Sequence, residues 1–276
     1  MNMVSIADKS IVLRNGSVTL AYKDTMPQGN ADTVVVLLHG FCGSSAYWET
    51  LLPLLERPGR RIIAPDHRGH GRSSAPSDAI YTMEQFAEDA AALVEELGLG
   101  PIILLGHSLG GYATLAFAER HPDKLRSFGI IHSTAFPDSE AARDNRDRAV
   151  AAIREQGIGP FVEGLVPKLF ASREDGSNEV LIQEAIAIGR GTTAAGAIAA
   201  SLGMKERPDR TAILESSTKP VLLVAGQQDG VIPPERTFTT SRAGVKQVLL
   251  EQAGHMGMIE TPEELAAALN DFIEGK

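Results

Sequence analysis

Apolar positions along the chain follow two rhythms. Short, continuous β-branched runs predict strands buried on both faces, and longer stretches with apolar residues three and four apart predict helices laid over them. Residues 11–14 and 18–22 are apolar runs separated by Asn15-Gly16-Ser17, a turn signal that closes an antiparallel hairpin. Thr33–Leu38 and residues 61–64, 101–105, 125–132, 220–225 and 247–250 read as further strands. Helices are predicted over residues 44–55, from Thr82 to Gly98, over Leu109–Arg120, near residues 234–242 and from Thr261 onward. Thr82 and Gln85 form a capping box in which each side chain satisfies a free backbone N–H, and Thr261-Pro262-Glu263-Glu264 repeats that signal. Strand–helix alternation at this spacing predicts an α/β fold, a mostly parallel central sheet flanked by helices on both faces.

The rhythm breaks between residues 135 and 210. There the β-branched runs give way to Ala/Gly-rich helical stretches at 141–156, 161–170, 180–188 and 193–204. The expectation is a core of residues 1–134 and 211–276 carrying an inserted helical lid, residues 135–210.

Composition narrows the possible partners. A chain of 276 residues buries enough surface to hold a large core without a covalent staple. The formal net charge of −9, with no cluster of Lys and Arg, excludes a nucleic-acid reader and disfavours an anionic membrane surface. No apolar run is long enough to span a bilayer. The single cysteine, Cys42, forbids an internal disulfide, and residues 1–9 lack the pattern of a secretion signal. The expected setting is cytoplasmic, with a small-molecule substrate and a monomer or homodimer.

Candidate chemistry begins at Gly106-His107-Ser108-Leu109-Gly110, where a predicted strand meets a predicted helix. A serine pinned in such a turn has a strained backbone, so the positions two residues to either side must be tiny, and both are glycine. The turn lifts the hydroxyl off the sheet beside a helix N-terminus, whose dipole favours developing negative charge. Asp229 lies just beyond the strand at 220–225, and His255 in the loop beyond the strand at 247–250. All three sit at carboxyl ends of strands, where an open parallel sheet forms its ligand crevice.

With these motifs go His39-Gly40-Phe41, Asp66-His67-Arg68-Gly69-His70-Gly71-Arg72-Ser73 and Gly254-His255, and over nearly its full length the chain resembles the α/β-hydrolase superfamily. Residues 203–209, at the lid exit, are similar to segments of enol-lactonase-like and small-ester hydrolases. The resemblance implies an eight-stranded sheet with its second strand antiparallel. It implies Ser108 as nucleophile, His255 as base, Asp229 as orienting acid and the backbone N–H groups of Phe41 and Leu109 as oxyanion hole. His39 is expected to brace the oxyanion turn.

Among seven histidines, His132 is the second candidate for the base, and Asp138 is the rival acid. His107 adjoins the nucleophile and is expected to point away from it. Asp66, His67 and His70 read as a glycine-rich structural loop rather than a metal cluster, and neither metal nor cofactor is expected. Cys42 reads as a small buried hydrophobe, with a reactive thiol as the other reading. Phe161, Leu165, Phe170 and Met204 are candidate pocket residues, although their helical spacing equally suits lid core.

The expected reaction is hydrolysis of a small carboxylic ester or lactone through an acyl-enzyme. Serine at position 108 argues against dehalogenase or epoxide hydrolase chemistry, which uses a carboxylate there. Carbon–carbon bond hydrolysis of dienoate products, and thioester, amide or perhydrolase chemistry, stay open on the same residues, as does a non-catalytic ligand-binding role on a hydrolase scaffold.

Overall fold

The structure, a computed structural model, describes residues 4–13, 16, 18–26, 31–173 and 175–276. Eight strands form one sheet: β1 Lys9–Val12, β2 Thr19–Asp24, β3 Thr33–Leu38, β4 Arg60–Pro65, β5 Ile102–His107, β6 Leu125–Ile131, β7 Val221–Gly226 and β8 Val245–Leu250. Their spatial order is β1-β2-β4-β3-β5-β6-β7-β8. β2 runs antiparallel to both of its neighbours and every other pairing is parallel, as the family resemblance implied. The opening hairpin pairs Lys9 with Tyr22 through Val12 with Thr19. Arg14, Asn15 and Ser17 of its predicted strand end and turn lie outside the described residues.

The period-two alternation of the strands divides the core into two layers. Val36, Leu38, Leu104 and Leu223 face one layer, with Phe86 and Phe117 from helices Met83–Glu96 and Leu109–Arg120. Val35, Leu37, Leu105 and Leu222 face the other, with Trp48, Leu55, Leu265 and Phe272. The predicted capping box is present: Gln85 N–H donates to Thr82 Oγ1 at 3.2 Å, and Thr82 N–H to Gln85 Oε1 at 2.9 Å. β3 lies between β4 and β5, so the connection out of β3 runs to one side and the next, from β4 to β5, crosses to the other. The ends of β3 and β5 thus flank a topological switch point, the usual ligand crevice of an open parallel sheet.

After β6 the chain leaves the sheet for helices Glu140–Gln156, Ile158–Leu165, Glu179–Gly189 and Ala194–Glu206, with a 3₁₀ turn at Val166–Leu169. Arg210 fastens their exit to Glu84 and Glu119 on the two core helices. Thr193 N–H donates to Gly69 O at 3.0 Å, and Tyr81 N–H to Ala199 O at 3.0 Å. No single helix among the described residues is long and apolar enough to cross a membrane.

Three local expectations change. The helix over 44–55 is a 3₁₀ turn, Ser45–Trp48, and a short helix, Leu51–Leu55. The helix near 234–242 stops at Thr237. Thr261 makes no capping box, because a helical turn at Gly257–Glu260 precedes it and its hydroxyl donates back to Gly257 O at 3.3 Å.

Candidate active site

Ser108 occupies the turn between β5 and helix Leu109–Arg120 with φ 51° and ψ −112°, a conformation outside the ordinary regions for a residue with a β-carbon. Such strain persists only where its surroundings hold it. Ser108 N–H donates to Ile131 O at 3.0 Å, and Ser133 Oγ–H donates to Ser108 O at 2.8 Å. A β-carbon on Gly106 would collide with the Gly110 carbonyl, so the sharpness of the turn explains the small residues around the serine.

The Ser108 hydroxyl donates to His255 Nε2 at 2.9 Å, and His255 Nδ1–H donates to Asp229 Oδ2 at 2.7 Å. The other carboxylate oxygen, Oδ1, accepts Val231 N–H at 2.8 Å and Ile232 N–H at 2.9 Å. Burial opposes ionisation of Asp229. The facing His255 and the contacts of His132 and His255 outweigh it and hold the carboxyl far below the usual range. Asp229 and His255 are buried, and Ser108 is partly exposed.

The loop after β3 lies against this turn: a β-carbon on Gly40 would stand 3.3 Å from Ser108 Cβ. The loop doubles back through Cys42 at φ 54°, with Gly43 N–H on Gly40 O at 3.1 Å. Among the described residues, neither Phe41 N–H nor Leu109 N–H has a protein acceptor, which leaves both free for an oxygen beside Ser108. His39 braces the loop from behind, its Nδ1–H on Gly40 O at 2.8 Å and its Nε2 accepting His67 N–H at 2.9 Å. Phe161 stacks edge-on against Phe41, ring centroids 6.1 Å apart. Leu165 is partly buried in the same layer, whereas Phe170 and Met204 are buried in the two core layers.

The rival residues have other work. Asp138 binds Arg207 at 2.5 Å and Arg146 at 3.1 Å. His132 lies beside Asp229 rather than on the serine, its Nδ1 3.5 Å from Oδ2. The Asp66 carboxylate accepts Ser5 Oγ–H, Ser45 N–H and Arg72 N–H, tying the glycine-rich loop to its neighbours. Cys42 is buried, and burial pushes its thiol up, away from the reactive thiolate.

The sequence reading missed Glu260 and the supporting bond made by His107. His107 Nε2–H donates to the carbonyl of His255 itself at 2.8 Å. Glu260 Oε1 accepts Gly254 N–H and Met256 N–H, each at 3.0 Å, on either side of that histidine, while His255 N–H donates to Leu169 O at 2.7 Å. The only signal for Glu260 is a lone charge after Met256-Gly257-Met258-Ile259. Clefts of about 420 Å³ beneath the amino ends of β6 to β8 and about 540 Å³ around Arg173 and Asn178 touch none of Ser108, His255 or Phe41.

The α/β hydrolase fold family matches residues 33–262. A thermophilic esterase from Thermogutta terrifontis, solved with malate bound, superposes with a TM-score of 0.88 at 32% identity, covering 97% of this chain and 98% of that one. The enol-lactonase from Burkholderia xenovorans LB400 superposes at 0.87 with 22% identity, over 96% of this chain and 100% of that one, a likeness of fold. Mouse protein ABHD8 is 28% identical over 88% of this chain and 55% of its own length, so the chain spans about half of that curated relative. Matched along most of its length and built on the same sheet, the chain belongs to the α/β hydrolase fold family.

Proposed function

We propose that the protein is a serine hydrolase that cleaves a small carboxylic ester or lactone. The observation that carries this reading is the unbroken contact chain from Ser108 through His255 to Asp229, at 2.9 and 2.7 Å. His255 takes the Ser108 proton as Oγ attacks the carbonyl carbon, and Asp229 holds the ring with its proton on Nδ1. The oxyanion is received by Phe41 N–H and Leu109 N–H. His255 then protonates the leaving alcohol, and a water activated in the same way releases the acid and restores Ser108. The Thermogutta esterase supports the ester assignment, and the helices of 135–210, with Phe161 against Phe41, act as a lid over the acyl group. The single buried thiol, Cys42, fits a reducing, cytoplasmic setting.

The test is a rate panel on p-nitrophenyl esters of increasing acyl length, with wild type and Ser108→Ala side by side. Turnover of short-chain esters by wild type alone is the expected result. Turnover by neither protein, or equally by both, overturns the proposal.

A further inference from the structure

His132 sits at the end of β6 with φ 47° and no solvent exposure, its backbone N–H fixed on Val224 O at 2.8 Å. A left-handed, β-carbon-bearing residue in that position is strained, and nothing in the contact chain from Ser108 to Asp229 uses it. Its ring faces three titratable groups: Asp229, and the rings of His107 and His255, each centroid 6.0 Å away. Burial keeps the ring neutral, although Asp229 pulls the other way.

A neutral imidazole still carries one N–H, and an N–H buried without an acceptor is destabilising. Among the described residues, neither ring nitrogen makes a hydrogen bond, and Gly257 is pressed so closely against Nε2 that a β-carbon there would collide with the ring. Nδ1 faces Asp229 Oδ2 at 3.5 Å, the oxygen that His255 binds at 2.7 Å. The shortest route to satisfying the ring is therefore a proton on Nδ1, aimed at the carboxylate.

On the reading that Ser108, His255 and Asp229 act as a triad, we infer that His132 is a positioning residue that donates Nδ1–H to Asp229 and takes a share of its charge. Asp229 then holds four donors: two imidazoles on Oδ2 and two backbone amides on Oδ1. Charge spent on His132 is not available to hold a proton on His255. The base therefore stays unprotonated, and the serine activated, to lower pH than with three donors alone.

A matched pair of variants isolates the N–H. His132→Asn keeps an amide donor near the position of Nδ1 and tolerates positive φ; His132→Leu has the same branching and no donor. The readouts are the pH profile of kcat/KM and the titration midpoint of the His255 ring by ¹⁵N NMR. In His132→Leu the acid limb and the midpoint move up by about half a pH unit or more, and His132→Asn returns most of the way to wild type. Profiles that coincide in all three proteins overturn the inference, because a merely space-filling ring would alter stability without moving the limb. The ¹⁵N spectrum of the wild type decides independently of whether either variant folds: Nδ1-protonated His132 is expected, and the Nε2-protonated tautomer refutes it. If wild type hydrolyses no ester, the proposed function falls, while the tautomer and the His255 titration still judge this inference.

Discussion

Glu260 Oε2 accepts the backbone N–H of Ala171 at 2.8 Å, which joins the helical insertion to the last strand's loop. Its other oxygen holds the two amides that flank His255, so one carboxylate sets the loop's shape and its distance from the insertion. Glu260→Ala strands three amide donors, and the expected cost is about 3 kcal/mol in urea unfolding together with a larger fall in kcat than rise in KM. Glu260→Gln, which keeps one good acceptor, falls between. A variant with wild-type kcat would show that the loop keeps its shape without the carboxylate.

Removing the proposed nucleophile and base gives the sharpest kinetic signature. Ser108→Ala and His255→Ala are each expected to lower kcat by about 10³-fold or more with circular dichroism unchanged, and the double variant to be little worse than either, because the two act as one unit. Additive losses would mean that they act separately.

The strain at Ser108 makes the opposite prediction for stability. Ser108→Gly relieves the positive φ of 51° and is expected to stabilise the fold by about 1 kcal/mol, a rise in Tm of about 2 °C, while abolishing turnover. A lower Tm would show that the hydroxyl's bond to His255 outweighs the backbone strain.

Buried histidines dictate the response to acid. Burial lowers His67 to about 3 and His70 to about 4, so both are neutral in the fold but take up protons below about pH 6.5 once the chain is unfolded. Their contribution is intact above pH 6.5 and is lost as pH falls toward those lower values. Between pH 7 and pH 5 the pair alone is expected to cost about 4 kcal/mol, at about 1.4 kcal/mol per unit for each ring. Urea midpoints at the two pH values measure it; equal midpoints would mean that the rings are already charged in the native state.

The strands and the principal helices were legible because their periodicity carries the signal: Thr33–Leu38 and Leu109–Arg120 match the sequence reading at both ends. The convergence of Ser108, Asp229 and His255 was legible for a related reason, since each follows a recognisable strand and the parallel topology brings strand ends together. His107 and Glu260 were not. The acceptor for His107 is 148 residues away, and the partners of Glu260 are backbone amides that any residue type could supply. Thr261 shows the converse error: a correct local capping signal was overridden when Gly257–Glu260 wound into a helical turn of its own.

Arg210 N–H donates to Ala135 O at 2.9 Å, so the insertion between β6 and β7 departs from and returns to adjacent positions, an arrangement that invites exchange for a different set of helices. The bond from His255 N–H to Leu169 O sets the condition for such grafting. Whatever helices the graft carries, its chain must present a carbonyl where Leu169 does and, two residues on, an amide for Glu260. Transferable specificity in this scaffold is therefore limited by a three-residue splice at 169–171 rather than by the size or helix content of the donor segment.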